Sequence, residues 1–393
     1  MRMDDLAQAV QALDGSALVV DDEFCLNLRG RSEWCSACAD VCPHEALALS
    51  LDEVALDGER CTGCGACVPA CPAGALRLTG FSPARLLETV AGQETVRLHC
   101  RESRSRAGGV VIPCHAVLDA RLVAAMAADG VAEVVLHGLE GCEGCARGDA
   151  RAAVEQVHER LSAWFGPQAP KLRAADGAEE GAAQAGDVRA RADQVRMSRR
   201  AFLRFAGARA ADGALAAVPA TWALAAEDED ERLDLDEPSP FFQGEVERQR
   251  EAAYQAVLAP RLAGLPWVAD LEAPPWRGRR IEAHCTACLS CGTRCPTGAL
   301  RAEESDGERR IVYDAARCTD CALCERICPA KAIHPEPAPP AVVREGTVVL
   351  MARALVPCAH CETPYLPESE DGLCPTCRNE RELDDEWMSW LGG

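Results

Sequence analysis

Cys285-Thr286-Ala287-Cys288-Leu289-Ser290-Cys291-Gly292-Thr293-Arg294-Cys295-Pro296 and Cys318-Thr319-Asp320-Cys321-Ala322-Leu323-Cys324-Glu325-Arg326-Ile327-Cys328-Pro329 decide how this sequence reads. In each, three cysteines are separated by pairs of residues, and a fourth follows after three more, directly before a proline. Three thiolates on one tight loop can grip three corners of a metal-sulfur cube, and the fourth, opening a helix away from the loop, is free to serve a neighbouring cube. Disulfides and zinc are the competing uses of such cysteines. Disulfide frameworks belong mostly to short secreted domains, whereas this chain has 393 residues and gathers most of its 24 cysteines in C-x-x-C groups. Metal ligation is the first reading.

The pattern recurs in the N-terminal half. Cys42-Pro43-His44-Glu45-Ala46-Leu47 and Cys71-Pro72-Ala73-Gly74-Ala75-Leu76 match Cys295-Pro296-Thr297-Gly298-Ala299-Leu300 and Cys328-Pro329-Ala330-Lys331-Ala332-Ile333, a fourfold repeat in which each motif leads into a short strand. Cys61, Cys64, Cys67 and Cys71 form a complete motif, but Cys35, Cys38 and Cys42 are one cysteine short. Cys25 stands ten residues before Cys35.

Over about 50 residues the C-terminal motifs resemble bacterial dicluster ferredoxins. The resemblance implies one [4Fe-4S] cluster on Cys285, Cys288, Cys291 and Cys328, and a second on Cys318, Cys321, Cys324 and Cys295. At the other end, Cys25-Leu26-Asn27-Leu28-Arg29 is similar to the start of a variant ferredoxin family with a widened first gap. That likeness implies a cluster on Cys25, Cys35, Cys38 and Cys71 and another on Cys61, Cys64, Cys67 and Cys42. The alternative for Cys25 is a small buried apolar side chain beside a three-cysteine cluster. Gly63, Gly65, Ala66 and Ala322 would let the backbone come close to the clusters.

Residues 81–166 read differently. Ser82-Pro83 predicts a helix start, 94–99 and 109–112 predict strands, 116–129 a helix, 131–137 a strand and 149–165 an amphipathic helix, together a small α/β domain. Cys100, Cys114, Cys142 and Cys145 each follow a predicted strand, so parallel strands would gather them at one carboxyl edge. Only the nine residues 100–108 join the first two strands, however, and parallel neighbours need a crossover. Val110-Val111-Ile112-Pro113-Cys114 and Gly141-Cys142-x2-Cys145 are similar to the delta subunit of methyl-viologen-reducing hydrogenase, over about 70 residues. The likeness implies a [2Fe-2S] cluster on these four cysteines; free or redox-active thiols are the other reading, and His99, His115 and His137 are alternative ligands or packed histidines.

Cys358-x2-Cys361-x12-Cys374-x2-Cys377 reads as a zinc ribbon with four thiolates around one zinc, a rubredoxin-like iron being the alternative. Ser198-Arg199-Arg200-Ala201-Phe202-Leu203-Arg204 resembles the twin-arginine export motif, but it starts nearly 200 residues into the chain, and an amphipathic interdomain helix is the reading its position favours. The chain is therefore expected in the cytoplasm, with export or membrane association through this segment as the alternative.

The expected architecture is α+β and multidomain: an N-terminal dicluster ferredoxin-like domain (1–80), a small α/β domain with four cysteines (81–166), a linker and helical segment (167–275), a second dicluster ferredoxin-like domain (276–340) and a zinc-ribbon-like segment (341–393). A net charge of -21 argues against nucleic acid and anionic lipid as main partners, and no apolar run of about 20 residues predicts a membrane span. Neither a dinucleotide-type glycine motif nor a phosphate loop appears, and no acid-base constellation stands out, so no catalytic residue is expected. An electron carrier serving a partner oxidoreductase is expected, the partner by resemblance a molybdenum enzyme such as formate dehydrogenase, or a hydrogenase. A reductase subunit of heterodisulfide-reductase or hydrogenase type, or an assembly scaffold docking through the ribbon, are the alternatives.

Overall fold

Short apolar strands flank the cysteine motifs. In the N-terminal region β1 (Leu18–Val20) is followed by the single-turn helix α1 (Leu26–Gly30), the hairpin of β2 (Leu47–Leu49) and β3 (Val54–Leu56), and β4 (Leu76–Leu78). β1 and β4 pair antiparallel, Leu18 opposite Leu78 and Val20 opposite Leu76. Their apolar side chains turn inward, Leu18, Leu47, Leu76 and Leu78 all being buried. Two-stranded ribbons this short have no stability of their own, so what they enclose has to hold them.

The structure, a computed structural model, describes residues 17–30, 33–103, 108–175, 186–187, 253–269, 271, 274–305, 307–367 and 371–390. The twin-arginine-like sequence and the acidic run from 227 to 240 lie outside the described residues. The chain divides into two compact units, Met1–Val268 and Ala269–Gly393.

In the first unit the expected α/β elements follow the N-terminal strands. α2 (Pro83–Val90) starts where the sequence predicts, the Ser82 hydroxyl accepting the Arg85 N–H at 3.4 Å and Pro83 taking a position that needs no donor. Next come β5 (Thr95–Cys100), β6 (Val110–Ile112), α3 (Ala120–Ala128), β7 (Glu133–His137), α4 (Arg151–Phe165), β8 (Lys171–Ala174) and β9 (Gly186–Asp187). They form one parallel sheet in the order β8-β7-β5-β6-β9. β5 and β6 are parallel neighbours in spite of the short stretch of chain between them. Leu86, Leu98, Ile112, Leu122, Leu136 and Leu161 are at most 1% exposed and make the core between sheet and helices.

Three pieces of the segment expected to be linker belong to this domain, β9 among them. β8 extends the sheet, and α5 (Ala253–Leu262) packs on α2 and α3. Leu258 and Leu262 are buried there, Arg261 pairs with Asp129 at 2.9 Å, and the Trp267 ring lies 4.7 Å from that of Phe165. The four residues of β8 carry one buried leucine, too little periodicity to register as a strand in sequence.

The second unit holds β10 (Gly278–Ile281), β11 (Leu300–Ser305), β12 (Glu308–Asp314), β13 (Ile333–Glu336), β14 (Thr347–Ala354), β15 (Val356–Pro357), β16 (Pro364–Tyr365) and α6 (Pro375–Trp390). β10 pairs antiparallel with β13, Arg279 opposite Pro335 and Ile281 opposite Ile333. Leu76 and Ile333 each stand five residues after the cysteine of a Cys-Pro corner, so the repeat makes Val20 the counterpart of Ile281, and Leu18 the counterpart of Arg279. β14 joins β11 and β12 as a third strand, with Met351 buried opposite Ile311. The sequence reading assigns these residues to the segment 341–393, whereas β14 pairs with β12 and so belongs to the sheet formed between the two C-terminal cysteine motifs.

Candidate metal centres

At each of the four Cys-Pro corners a backbone N–H donates to the cysteine sulfur, from four residues on in three of them and from five on at Cys295. The N–H of Ala46 donates to Cys42 Sγ at 3.3 Å, that of Ala75 to Cys71 Sγ at 3.3 Å, that of Leu300 to Cys295 Sγ at 3.5 Å and that of Ala332 to Cys328 Sγ at 3.3 Å. Amide donors of this kind stabilise negative charge on sulfur and tune a cluster's potential. Backbone strain is concentrated at the same places. Among the described residues, the non-glycine residues with left-handed backbones are Glu45, Ala287, Leu289, Asp320, Ala322, Lys331 and Glu362, every one inside or directly after a cysteine motif. Such conformations persist only where the surroundings over-determine them.

The corners bring cysteines from different motifs together. Burial pushes the Cys38 thiol up to about 12, and Cys71, Cys35 and Cys25 add to the rise through like-charge proximity. Cys67 is pushed up to about 12 by burial and then by Cys64, Cys38, Cys61 and Cys42. Cys291 behaves alike with Cys285, Cys288 and Cys328 around it, and Cys321 is raised by burial with Cys295, Cys318 and Cys324 nearby. These groupings each draw on both motifs of a pair, and the one around Cys67 takes in Cys38 as well as Cys42. Cavities lie within two of them: one inside Cys42, Cys61, Cys64 and Cys67, walled by Leu18, Leu47, Leu56 and Leu78, and one inside Cys285, Cys288, Cys291 and Cys328, walled by Ile281, Ile311 and Ile333. Soft thiol donors around an apolar hollow fit an iron-sulfur cluster.

The widened loop between Cys25 and Cys35 is held by a residue that sequence reading passed over. Asn27, 2% exposed, accepts the N–H groups of Cys35 at 2.9 Å and Trp34 at 3.1 Å on Oδ1, and donates from Nδ2 to the Cys35 carbonyl at 2.9 Å. α1 follows Cys25 directly, so Asn27 joins the helix that Cys25 opens to the backbone at Trp34 and Cys35. The Cys25-Leu26-Asn27 string is visible in sequence, but the reach of its amide is not.

In the α/β domain the parallel sheet delivers its cysteines to one edge. Cys100 ends β5, Cys114 follows β6, and Cys142 and Cys145 follow β7. Burial raises Cys100, with Cys142 and Cys145 as further like-charge neighbours; burial pushes Cys114 up to about 12, with Cys64, Cys100 and Cys142 adding to it. Cys114, Cys142 and Ala150 form a buried apolar group against which Cys64 of the N-terminal region packs. The seam continues at Arg147, which pairs with Glu102 at 2.8 Å and donates to the Thr62 carbonyl, and at Gly148, where a Cβ would stand 2.8 Å from Pro43. His99 and His137 stack at 4.3 Å, and His115 Nε2 lies 3.0 Å from the His137 carbonyl. Burial pushes His115 down to about 4, so it is neutral at physiological pH.

The four C-terminal cysteines are arranged differently. The four sulfurs of Cys358, Cys361, Cys374 and Cys377 all lie within 4.8 Å of one another, the one such set of ligand atoms among the described residues. Cys361 and Cys374 are 3.7 Å apart, close to the edge of about 3.8 Å that a tetrahedron with 2.3 Å metal-sulfur bonds requires. Backbone N–H groups of Cys361 and Cys374 hold the Cys358 thiol down at about 6. α6 begins at the second knuckle and leaves Leu383, Trp387 and Trp390 exposed along one face.

Comparison with known families matches a 4Fe-4S dicluster domain at residues 33–75 and again at 284–332. Both spans fall on cysteine motifs described above, and the first starts after Cys25. Among curated proteins, none matches the chain. Among the described residues, no helix is long and apolar enough to cross a membrane.

Proposed function

We propose that this chain is an electron carrier with four [4Fe-4S] clusters, on the quartets Cys25/Cys35/Cys38/Cys71, Cys61/Cys64/Cys67/Cys42, Cys285/Cys288/Cys291/Cys328 and Cys318/Cys321/Cys324/Cys295. The reading is supported by the apolar cavities that thiols of paired motifs line, one in each half of the chain, and by the two dicluster-domain matches. Bound there, each cluster would accept and release single electrons. The protein's part is to hold the thiolates, to aim amide donors at their sulfurs and to wall the clusters with apolar side chains. The α/β domain extends the relay: its four cysteines suit a [2Fe-2S] cluster, and the packing of Cys64 on Cys114 and Cys142 supplies a short route into it from the N-terminal region. The electrons would pass to or from a separate oxidoreductase, which we place by analogy among molybdenum enzymes such as formate dehydrogenase or among hydrogenases.

Anaerobic purification with iron, sulfide and zinc counting tests this. Four cubanes give ~16 iron per chain, and a [2Fe-2S] cluster in the middle gives ~18. A total near ~8 would sink the four-cluster reading.

The ribbon would hold ~1 zinc on its four thiolates, a closed structural site with no open coordination position. Replacing Cys374 with serine is expected to release that zinc and leave the iron count unchanged, as read by elemental analysis of the same preparation. Iron in place of zinc at this site would instead support the rubredoxin-like alternative. The exposed Leu383, Trp387 and Trp390 favour a second role for this segment, in docking a partner.

A further inference from the structure

Arg279 is the one aspartate, glutamate, lysine or arginine that is buried among the described residues, at 2% exposure. A buried cation is costly unless a counter-charge lies close. Two carboxylates reach it, Asp320 at 2.7 Å and Glu325 at 3.5 Å, the first between Cys318 and Cys321 and the second directly after Cys324. Both are more open to water than the guanidinium: their side chains are 52% and 28% exposed against its 1%. Solvent therefore screens the carboxylates far more than the cation. The Nε–H of Arg279 is buried and has no protein acceptor. Burial works against its charge, and Cys318 and Cys324, near enough to act on the guanidinium electrostatically, work with the carboxylates to offset that cost.

The internal repeat supplies a comparison. The counterpart of Arg279 on β1 is Leu18, which walls the cavity among Cys42, Cys61, Cys64 and Cys67. Two residues along β10, on the same face of the strand, Ile281 walls the cavity among Cys285, Cys288, Cys291 and Cys328. One position of the fold thus presents an alkyl group to the second-motif cluster of the N-terminal pair and a buried cation to that of the C-terminal pair.

We propose that Arg279 raises the reduction potential of the cluster on Cys318, Cys321, Cys324 and Cys295, making it the first of the C-terminal pair to take an electron. The proposal rests on the reading that this quartet holds a cubane. Reduction adds one negative charge to the cluster, taken from an external donor such as dithionite or the redox partner, and no bond forms or breaks. A cation facing the cluster through a low-dielectric wall favours the reduced state, and a hydrogen bond from Nε to a cluster sulfur would act in the same direction. Arg279 is a positioning residue for charge, and electrons entering the C-terminal pair would come to rest on its side.

The test is an anaerobic redox titration of the full chain followed by electron paramagnetic resonance, with iron counted in every sample. Arg279→Leu, which copies the N-terminal unit, is expected to lower one midpoint by about tenfold in the redox equilibrium, about 59 mV for a one-electron couple. Arg279→Lys should keep most of the wild-type value, and Leu18→Arg should raise a different midpoint. Unchanged midpoints in Arg279→Leu at full iron content overturn the proposal. Loss of one cluster in both Arg279 variants, with Leu18→Arg silent, also overturns it and assigns the arginine to folding alone. A wild-type chain lacking the C-terminal iron overturns the underlying cluster reading instead, and the iron count separates that result from an unshifted potential.

Discussion

Stripped of iron under anaerobic conditions, the chain is expected to lose protection from hydrogen exchange across residues 284–332 while the α/β sheet keeps it. Ala287, Leu289, Asp320, Ala322 and Lys331 all hold left-handed backbones in that stretch. Each costs about 1–2 kcal/mol relative to the right-handed region, so together they oppose folding by about 5–10 kcal/mol. A whole domain is stable by about 5–15 kcal/mol. Clusters that bind the folded loops alone supply the difference, as metals do in other small domains. The N-terminal loop has Gly63 and Gly65 at the motif positions that Ala287 and Leu289 take in the C-terminal half, where the same turn carries no steric cost and loses only backbone entropy. Its protection should survive iron removal better than that of the C-terminal loops. Mass-spectrometric exchange on holo and iron-free protein reads both effects, and an iron-free chain with full protection at 284–332 would show that the strain is held by the polypeptide.

Replacing Asn27 with alanine is expected to cost the protein one cluster, about four iron per chain. The side chain makes three hydrogen bonds across the gap between Cys25 and Cys35. At about 1 kcal/mol net for each, their loss releases about 3 kcal/mol of restraint and leaves the backbone N–H groups of Trp34 and Cys35 without their acceptor. Cys25→Ser, which removes a thiolate outright, sets the scale of the expected loss. An Asn27→Ala protein with wild-type iron would mean that Cys25 reaches its partners without this clasp.

The two dicluster motif pairs were legible in sequence because ligand spacing is a local constraint that the chain writes directly, and the 4Fe-4S dicluster matches fall on the same stretches. Ser82-Pro83 announced α2 for the same local reason. Features set by distant contacts were not legible. Nothing near Lys171 indicates that β8 pairs with β7, and the short link from β5 to β6 argued against the parallel pairing that the sheet adopts. Arg279 looks in sequence like any charged residue of a strand, beside Arg280, which is exposed. Its burial depends on Asp320 and Glu325, some forty residues away. Asn27 belonged to a recognised string, yet its role depends on the loop it closes.

The seam at Pro43, Thr62, Arg147 and Gly148 bears on how such chains are assembled from parts. Pro43 belongs to a Cys-Pro corner, and Thr62 lies between two cysteines of a cluster loop, so the surface that meets the α/β domain is made of the cluster-binding segments themselves. A ferredoxin module taken from elsewhere and spliced in before residue 81 would bring its own corner and loop, with no assurance of a flat approach to Gly148 or a carbonyl for Arg147. Exchange of modules at this joint is constrained to parts that supply both sides of these contacts.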